Sequence, residues 1–255
     1  MVGAVMGTRS MSETDAASAQ PAENAKPSPS LGARILHNWI LPFLIVLAVL
    51  SPIRSVIADW YDVPTGSMEP TILVGDRIAA NKLAFGLRIP FTMKWLARWD
   101  EPRQGEVVIL HSPADGTRMV KRVIAGPGDT ISLVRNRVHI NDVETTYEPL
   151  TQEELDALPS EFIGSHEFAT EKLATGDHTI MLTPHRAAMR TYGPVTVPDH
   201  MYFVMGDNRD NSGDSRVFGF VDRDLIVGRS SYVVLSVDRN NYYKPRFDRF
   251  FHPLD

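Results

Sequence analysis

From Trp39 to Ile53 the chain passes fifteen residues without a charged side chain, and this run limits its possible folds more than any other feature. With its flanks, residues 35–58, it reaches the ~20 residues that a helix needs to cross a bilayer. Every face of such a helix is apolar, so it lacks the polar stripe of a helix packed on a soluble core. A cleavable secretion signal would end in a small-residue junction, and none follows. Residues 35–58 therefore read as a retained transmembrane anchor. Arg54, near its end, has a side chain long enough to reach the headgroups. Arg9, Lys26 and Arg34 precede the span, while Asp59 and Asp62 follow it. With Arg54 as the exception, this bias puts the amino terminus in the cytoplasm and the bulk of the chain outside.

Before the anchor, residues 1–34 are rich in Ala, Ser, Pro, Glu and Thr and poor in large apolar side chains. Such a stretch cannot bury enough surface to offset chain entropy, and a disordered cytoplasmic tail is expected. After it, residues 59–255 read as β. Short β-branched or alternating runs occur at 78–80, 106–111, 119–124, 130–134, 138–140, 201–205 and 230–237. Turn residues such as Gly126-Pro127-Gly128-Asp129 and Asn141-Asp142 separate them. The pattern predicts a mainly β, sandwich-like or barrel-like domain. From 141 to 197 the signal weakens, an inserted subdomain in which Gln152 to Leu158 could form one or two helical turns.

A net charge of −5 argues against a nucleic-acid partner, which selects for a basic field. The chain has no cysteine, which removes disulfides, thiolate chemistry and Cys-based zinc sites. Two segments mix aromatic and basic residues: Phe85, Phe91, Trp95 and Trp99 beside Arg88, Lys94 and Arg98, and a carboxyl-terminal set from Tyr242 to Phe251. They fit either core aromatics with solvated charges or a surface resting at a bilayer interface.

Three stretches could carry chemistry. Pro64-Thr65-Gly66-Ser67-Met68-Glu69-Pro70-Thr71 holds Ser67 in a turn fixed by proline at each end and loosened by Gly66. In Met119 to Asp129, Lys121 and Arg122 are neighbours in a strand pattern, so they point to opposite faces and one of them faces the core. A buried lysine needs a reason, because burying an ammonium is costly. Burial also lowers its pKa, and a neutral amine could take a proton from Ser67, a role closed to the permanently charged Arg122. The third stretch, Gly206 to Arg216, is not a calcium loop, since no Glu stands at the twelfth position. Its mixed charges suggest a hydrogen-bonded network, with Asp214 and Arg216 a same-face pair in an extended segment. No His-based metal motif and no G-x-S-x-G elbow is present; no metal and no cofactor are expected.

In this order, P-T-G-S-M-E-P-T, G-D-R-I, V-K-R-V-I-A-G-P-G-D and G-D-N-R-D-N-S-G-D-S-R after an apolar anchor, the chain resembles bacterial type I signal peptidases. The resemblance implies a signal-peptidase-type antiparallel β-sheet catalytic domain at the cytoplasmic membrane, with an amino-terminal transmembrane helix, an inserted subdomain and one span where some members have two. It implies a serine endopeptidase that removes signal peptides from exported preproteins at Ala-x-Ala-type junctions. By position, Ser67 matches the nucleophile and Lys121 the general base. The Ser67 N–H and Thr65, a hydroxyl where many members have Ser, match the oxyanion hole. Ser212 matches the residue that orients the base, and Asp214 with Arg216 the ion pair supporting the site. Partners would be signal peptides and the lipid bilayer. Rival readings are a self-cleaving Ser–Lys repressor-type protease, a conjugation-type maturation peptidase and a membrane-anchored binding module; Ser67→Ala separates enzyme from module.

Overall fold

The computed structural model describes residues 31–254; most of the predicted tail, with Arg9 and Lys26, lies outside the described residues. The chain divides into two compact units at Val46. The first, as described, is helical: α1 (Leu31–Ile35), a π-helical stretch (Leu36–Ile40) and the beginning of α2 (Leu41–Val56), which runs on into the second unit. Pro42, which has no N–H to give the preceding turn, comes just after the π-wound stretch. The π-wound residues break the predicted 35–58 span, leaving α2 with 16 residues. Among the described residues no helix is long and apolar enough to cross a membrane. The side chains of Trp39, Phe43, Ile45 and Leu47 are nevertheless all more than half exposed.

The second unit is mainly antiparallel β, as predicted. Its strands begin with β1 (Ala58–Asp62), β2 (Asp76–Asn81), the β3–β4 hairpin (Gly86–Arg88, Trp95–Arg98), β5 (Val107–His111) and β6 (Arg118–Ala125). There follow β7 (Thr130–Val134), β8 (Arg137–Ile140), β9 (Val143–Glu144), β10 (Thr146–Glu148), β11 (Glu167–Leu173), β12 (Gly176–Leu182) and β13 (Tyr192–Thr196). The last are β14 (Met201–Met205), β15 (Val221–Asp222), β16 (Ile226–Arg229), β17 (Tyr232–Asp238), β18 (Lys244–Pro245) and β19 (His252–Pro253). The large sheet runs β15-β14-β6-β5-β16-β2-β17-β18, with β1 on β2 and β19 on β17. Two smaller sheets, β10-β11-β12 and β13-β7-β8-β9, account for the region of weak signal. Between β10 and β11 in sequence comes the short helix α3 (Gln152–Asp156), capped reciprocally by Thr151 and Glu154. Asn141 and Asp142 take positive φ between β8 and β9, as their residue types permit.

Strand β5 explains how the large sheet is held. Val107 and Ile109 enter one core with Met68, Ile72 and Ile78, while Val108 and Leu110 enter another with Phe85, Tyr202 and Val204. A strand feeding a core on each face reads as a continuous apolar run rather than an alternation. Strand β6, paired with β5, inherits the same two-sided cover.

Candidate active site

The Ser67 turn connects β1 to β2 and is clamped at its base. Val63 N–H donates to the Asp76 carbonyl at 2.9 Å and Gly75 N–H to the Val63 carbonyl at 3.0 Å. Met68 and Ile72 plunge into the core and Ile72 N–H donates to the Met68 carbonyl at 2.9 Å. Pinning Met68 inward leaves Ser67 half-buried, at the lip of a cleft of about 680 Å³. Two glycines allow this geometry. A Cβ on Gly66 would come within 2.3 Å of Glu69 Oε2, and one on Gly206 within 2.2 Å of the Ser67 carbonyl. The Glu69 carboxyl is itself pushed up to about 7, chiefly by burial.

Lys121 comes from β6, 54 residues away in sequence, and its Nζ donates to Ser67 Oγ at 2.6 Å and to the Val120 carbonyl at 2.9 Å. It is 2% exposed. Burial pulls its amine down from 10.5 to about 8; Asp214 and Asp207 oppose that fall and Arg216 adds to it. The structure thus brings Ser67 and Lys121 together. It also corrects the expectation that only one of Lys121 and Arg122 faces a core: Arg122 is 3% exposed. The sheet is covered on both faces, so both cations are buried, and Arg122 needs its own counter-charge. Its Nε and Nη2 donate to the Asp207 carboxylate at 3.0 and 2.8 Å, and Nη1 to the Gly105 carbonyl at 2.7 Å.

Asp207 is the hub that position alone did not reveal. It also accepts from Thr71 Oγ1 at 2.6 Å, tying the Ser67 turn to the strand that carries Lys121. Asn208 completes the splint: its Nδ2 donates to the Gly66 carbonyl at 2.9 Å and its N–H to the Ser67 carbonyl at 3.2 Å. Behind it, Arg209 grips the buried Glu171 of β11 at 2.9 and 2.5 Å, and His178 of β12 stands 3.2 Å from the same carboxylate. The G-D-N-R tetrapeptide was visible in the sequence; that its side chains face three different elements was not.

Asp214 and Arg216 do pair, Nε to Oδ1 at 2.8 Å and Nη2 to Oδ2 at 2.7 Å, both buried. They do not share the face of an extended segment. Asp214 instead caps the short helix α4 (Ser215–Phe218), accepting from Arg216 N–H, and its second oxygen receives Gly206 N–H at 3.1 Å. Ser212 Oγ is buried, lies where a Cβ on Gly206 would be 2.3 Å away, and has no hydrogen-bond partner among the described residues; the bond to Lys121 implied for it is not formed. Thr65 is exposed on the cleft wall. The cleft is also lined by Tyr61, Val63, Ile109 and Val120. Among the described strands, β1 pairs with β2 alone and Arg118 to Lys121 with β5 alone.

A hydroxyl held against a desolvated amine, in a cleft walled by strand edges, can perform nucleophilic attack on a carbonyl without a metal or cofactor. That is the chemistry of a class, the serine hydrolases, to which the serine endopeptidases belong. The comparisons narrow it: the chain belongs to the signal peptidase, peptidase S26 family, whose model matches residues 36–235. A signal peptidase I of Pseudomonas fluorescens is 34% identical over 214 residues, covering 79% of this chain and 73% of the relative. That of Aquifex aeolicus is 33% identical over 225 residues, covering 76% and 82%. A crystal structure of a signal peptidase I from Enterococcus faecalis, 30% identical, covers 51% of this chain and 97% of that one with a TM-score of 0.32. The protein is accordingly a hydrolase of the serine endopeptidase type.

Proposed function

We propose that the cleft cleaves the signal peptides of exported preproteins, with Ser67 as nucleophile and Lys121 as general base. The observation that carries this reading is the 2.6 Å contact between Lys121 Nζ and Ser67 Oγ, made by an amine that burial brings to about 8. In its neutral form the amine accepts the Ser67 proton as Oγ attacks the carbonyl at the junction. The proton then passes to the departing amino group, and the same lysine activates the water that releases the acyl group. Ser67 N–H and Thr65 Oγ1 stabilise the developing oxyanion, a contact worth about 2.7–4 kcal/mol in other proteases.

The substrate enters as an added strand. Tyr61 to Thr65 and Arg118 to Lys121 both line the cleft, and among the described residues no further strand is paired to either on that side. Main-chain hydrogen bonds would give affinity, with alternate side chains entering the cleft for specificity. The floor of Val63, Ile109, Val120 and Met68 is apolar, and shallow pockets there suit Ala-like side chains at −1 and −3 of the junction. Asp214 and Arg216 hold the loop that backs the site. Ser212, whose hydroxyl has no other partner among the described residues, orients the base by turning onto Lys121. The apolar 35–58 segment, uncharged from Trp39 to Ile53 and with exposed apolar side chains, anchors the chain in the bacterial cytoplasmic membrane, amino terminus inside and catalytic domain outside.

The test is incubation of detergent-solubilised protein with a preprotein carrying an Ala-x-Ala junction. Wild type is expected to release the mature protein, while Ser67→Ala and Lys121→Met, folded to the same near-ultraviolet circular dichroism, release none. Processing by either variant at more than background rate overturns the assignment.

A further inference from the structure

Next to the cleft is a smaller hollow of about 210 Å³ that the proposed reaction does not use. Its wall carries Lys82, Arg88, Arg118 and His111, and no Asp or Glu. Tyr61 and Arg118 line both hollows; the Arg118 guanidinium lies 4.2 Å from the Tyr61 ring centroid, a cation–π contact that makes these two side chains the partition. The positive charge inside is only partly answered. Lys82 pairs with Asp59 at 3.3 Å. Arg88, 9% exposed, gives its hydrogen bonds to neutral acceptors: the Asp224 and Ile226 carbonyls at 3.0 and 2.6 Å and the Met93 sulfur at 3.0 Å. Its Nε is buried with no hydrogen-bond partner among the described residues. The nearby Asp224 carboxylate is taken by Trp95 Nε1 and Arg98 instead. A desolvated guanidinium without a bonded carboxylate is costly to keep, and its proton affinity falls accordingly, to about 10. The hollow has the make-up of an anion site.

The rim says which kind of anion. The tip of the β3–β4 hairpin presents Ile89, Phe91 and Met93, 41%, 70% and 42% exposed, and Phe91 and Met93 line the hollow itself. Trp60 of β1 and Leu96 of β4 are exposed as well, at 59% and 66%. A free inorganic ion has no use for an apolar rim. A glycerophospholipid does: its phosphate suits the guanidinium and ammonium groups, and its glycerol and acyl carbons suit the hairpin tip. A headgroup that adds an ammonium would be repelled by the same cations, so an anionic headgroup is preferred.

We propose that the hollow between β1 and the β3–β4 hairpin binds the phosphate of an anionic glycerophospholipid, with Arg118, Lys82 and Arg88 on the phosphate and Phe91 in the acyl region. Because Tyr61 and Arg118 separate this site from the cleft, the bound lipid would fix the far end of the cleft at the headgroup layer. The assignment does not require Ser67 to act, and it is read without substrate.

The full chain in non-ionic detergent is titrated with dioctanoyl phosphatidylglycerol, dioctanoyl phosphatidylcholine or inorganic phosphate, following intrinsic tryptophan fluorescence and, by native mass spectrometry, stoichiometry. One phosphatidylglycerol per chain is expected, bound about tenfold more tightly than phosphatidylcholine or phosphate, the scale of one charge-assisted bond. Arg118→Gln should weaken phosphatidylglycerol by about tenfold and Arg118→Lys should keep most of the affinity; Phe91→Ser should weaken the lipid and not inorganic phosphate. Both positions are exposed, so the melting temperature should hold. Equal affinity for the two lipids, inorganic phosphate binding as tightly as phosphatidylglycerol, or indifference to Arg118→Gln would each overturn the proposal.

Discussion

A lysine brought to about 8 leaves a signature in the pH dependence of the reaction. Such an amine is neutral in about one molecule in ten at pH 7, half at pH 8 and about nine in ten at pH 9. An ordinary lysine would be neutral in only about 0.03% at pH 7. The expected kcat/KM therefore rises about tenfold from pH 7 to 9 and then levels, with its break near 8. The assay is a fluorogenic Ala-x-Ala peptide and the solubilised full chain, with the melting temperature recorded at each pH. Asp214 is the strongest of the charges that keep the proton on Lys121, so Asp214→Asn should move the break downward. The same depression has a stability cost. At about 1.36 kcal/mol per pH unit, holding the amine at about 8 instead of 10.5 costs the folded state about 3 kcal/mol. That cost is present in full below pH 8, where the folded lysine is protonated against its burial. It fades as pH climbs toward 10.5 and the unfolded chain also gives up its proton. Lys121→Met removes the cost but also two hydrogen bonds worth about 1 kcal/mol each. A net gain of about 1 kcal/mol is expected at pH 7, turning into a net loss of about 1 kcal/mol by pH 10, in a protein that no longer cleaves. A flat pH–rate profile, or one still rising above pH 9.5, would refute the reasoning, as would a Lys121→Met variant less stable at pH 7 than at pH 10 relative to wild type.

Other substitutions probe the supporting parts. Gly206→Ala would force the Ser67 carbonyl and Ser212 apart, so activity against the same peptide should fall steeply while the melting temperature drops; full activity would show that the splint is slack. Asp207→Asn strands the buried Arg122 guanidinium, and by analogy with other broken buried pairs should cost about 3–5 kcal/mol in urea denaturation. Glu69, raised to about 7, favours the fold while neutral and burdens it as pH rises from 4.5 through 7. Glu69→Gln should therefore melt with wild type at pH 4 and above it at pH 8. Thr65→Val should lower kcat by about 10²-fold with KM nearly unchanged.

The β architecture was legible because its turns are written in residue types that permit little else, such as Asn141-Asp142 and Gly126 to Asp129. Ser67 and Lys121 were legible as a pair because few other residues of their kinds stand in so constrained a context. What escaped was the reach of side chains across the fold. Arg122 looked like the outward neighbour of an inward Lys121, because a period of two cannot tell whether the second face is water or another core. Asp214 and Arg216 looked like an extended pair, because a four-residue helix leaves no periodic trace. Asp207 and Asn208 sat in plain view, but their task is set by the Ser67 turn, some 140 residues earlier, and spacing along the chain carries no record of such a meeting. The anchor was read from hydropathy alone, a measure blind to the π-wound turn that shortens the helix.

The strand-like entry proposed for the cleft between Tyr61 to Thr65 and Arg118 to Lys121 calls for an extended ribbon of main chain. A segment coiled into a helix has already spent its amides and carbonyls on itself and has none to offer those strand edges. On the proposed reading, a substrate would first be unwound for several residues, so a proline or glycine ahead of the junction would act as an entry permit. Selection would then begin with shape of the backbone, and the small side chains next to the scissile bond would be checked second.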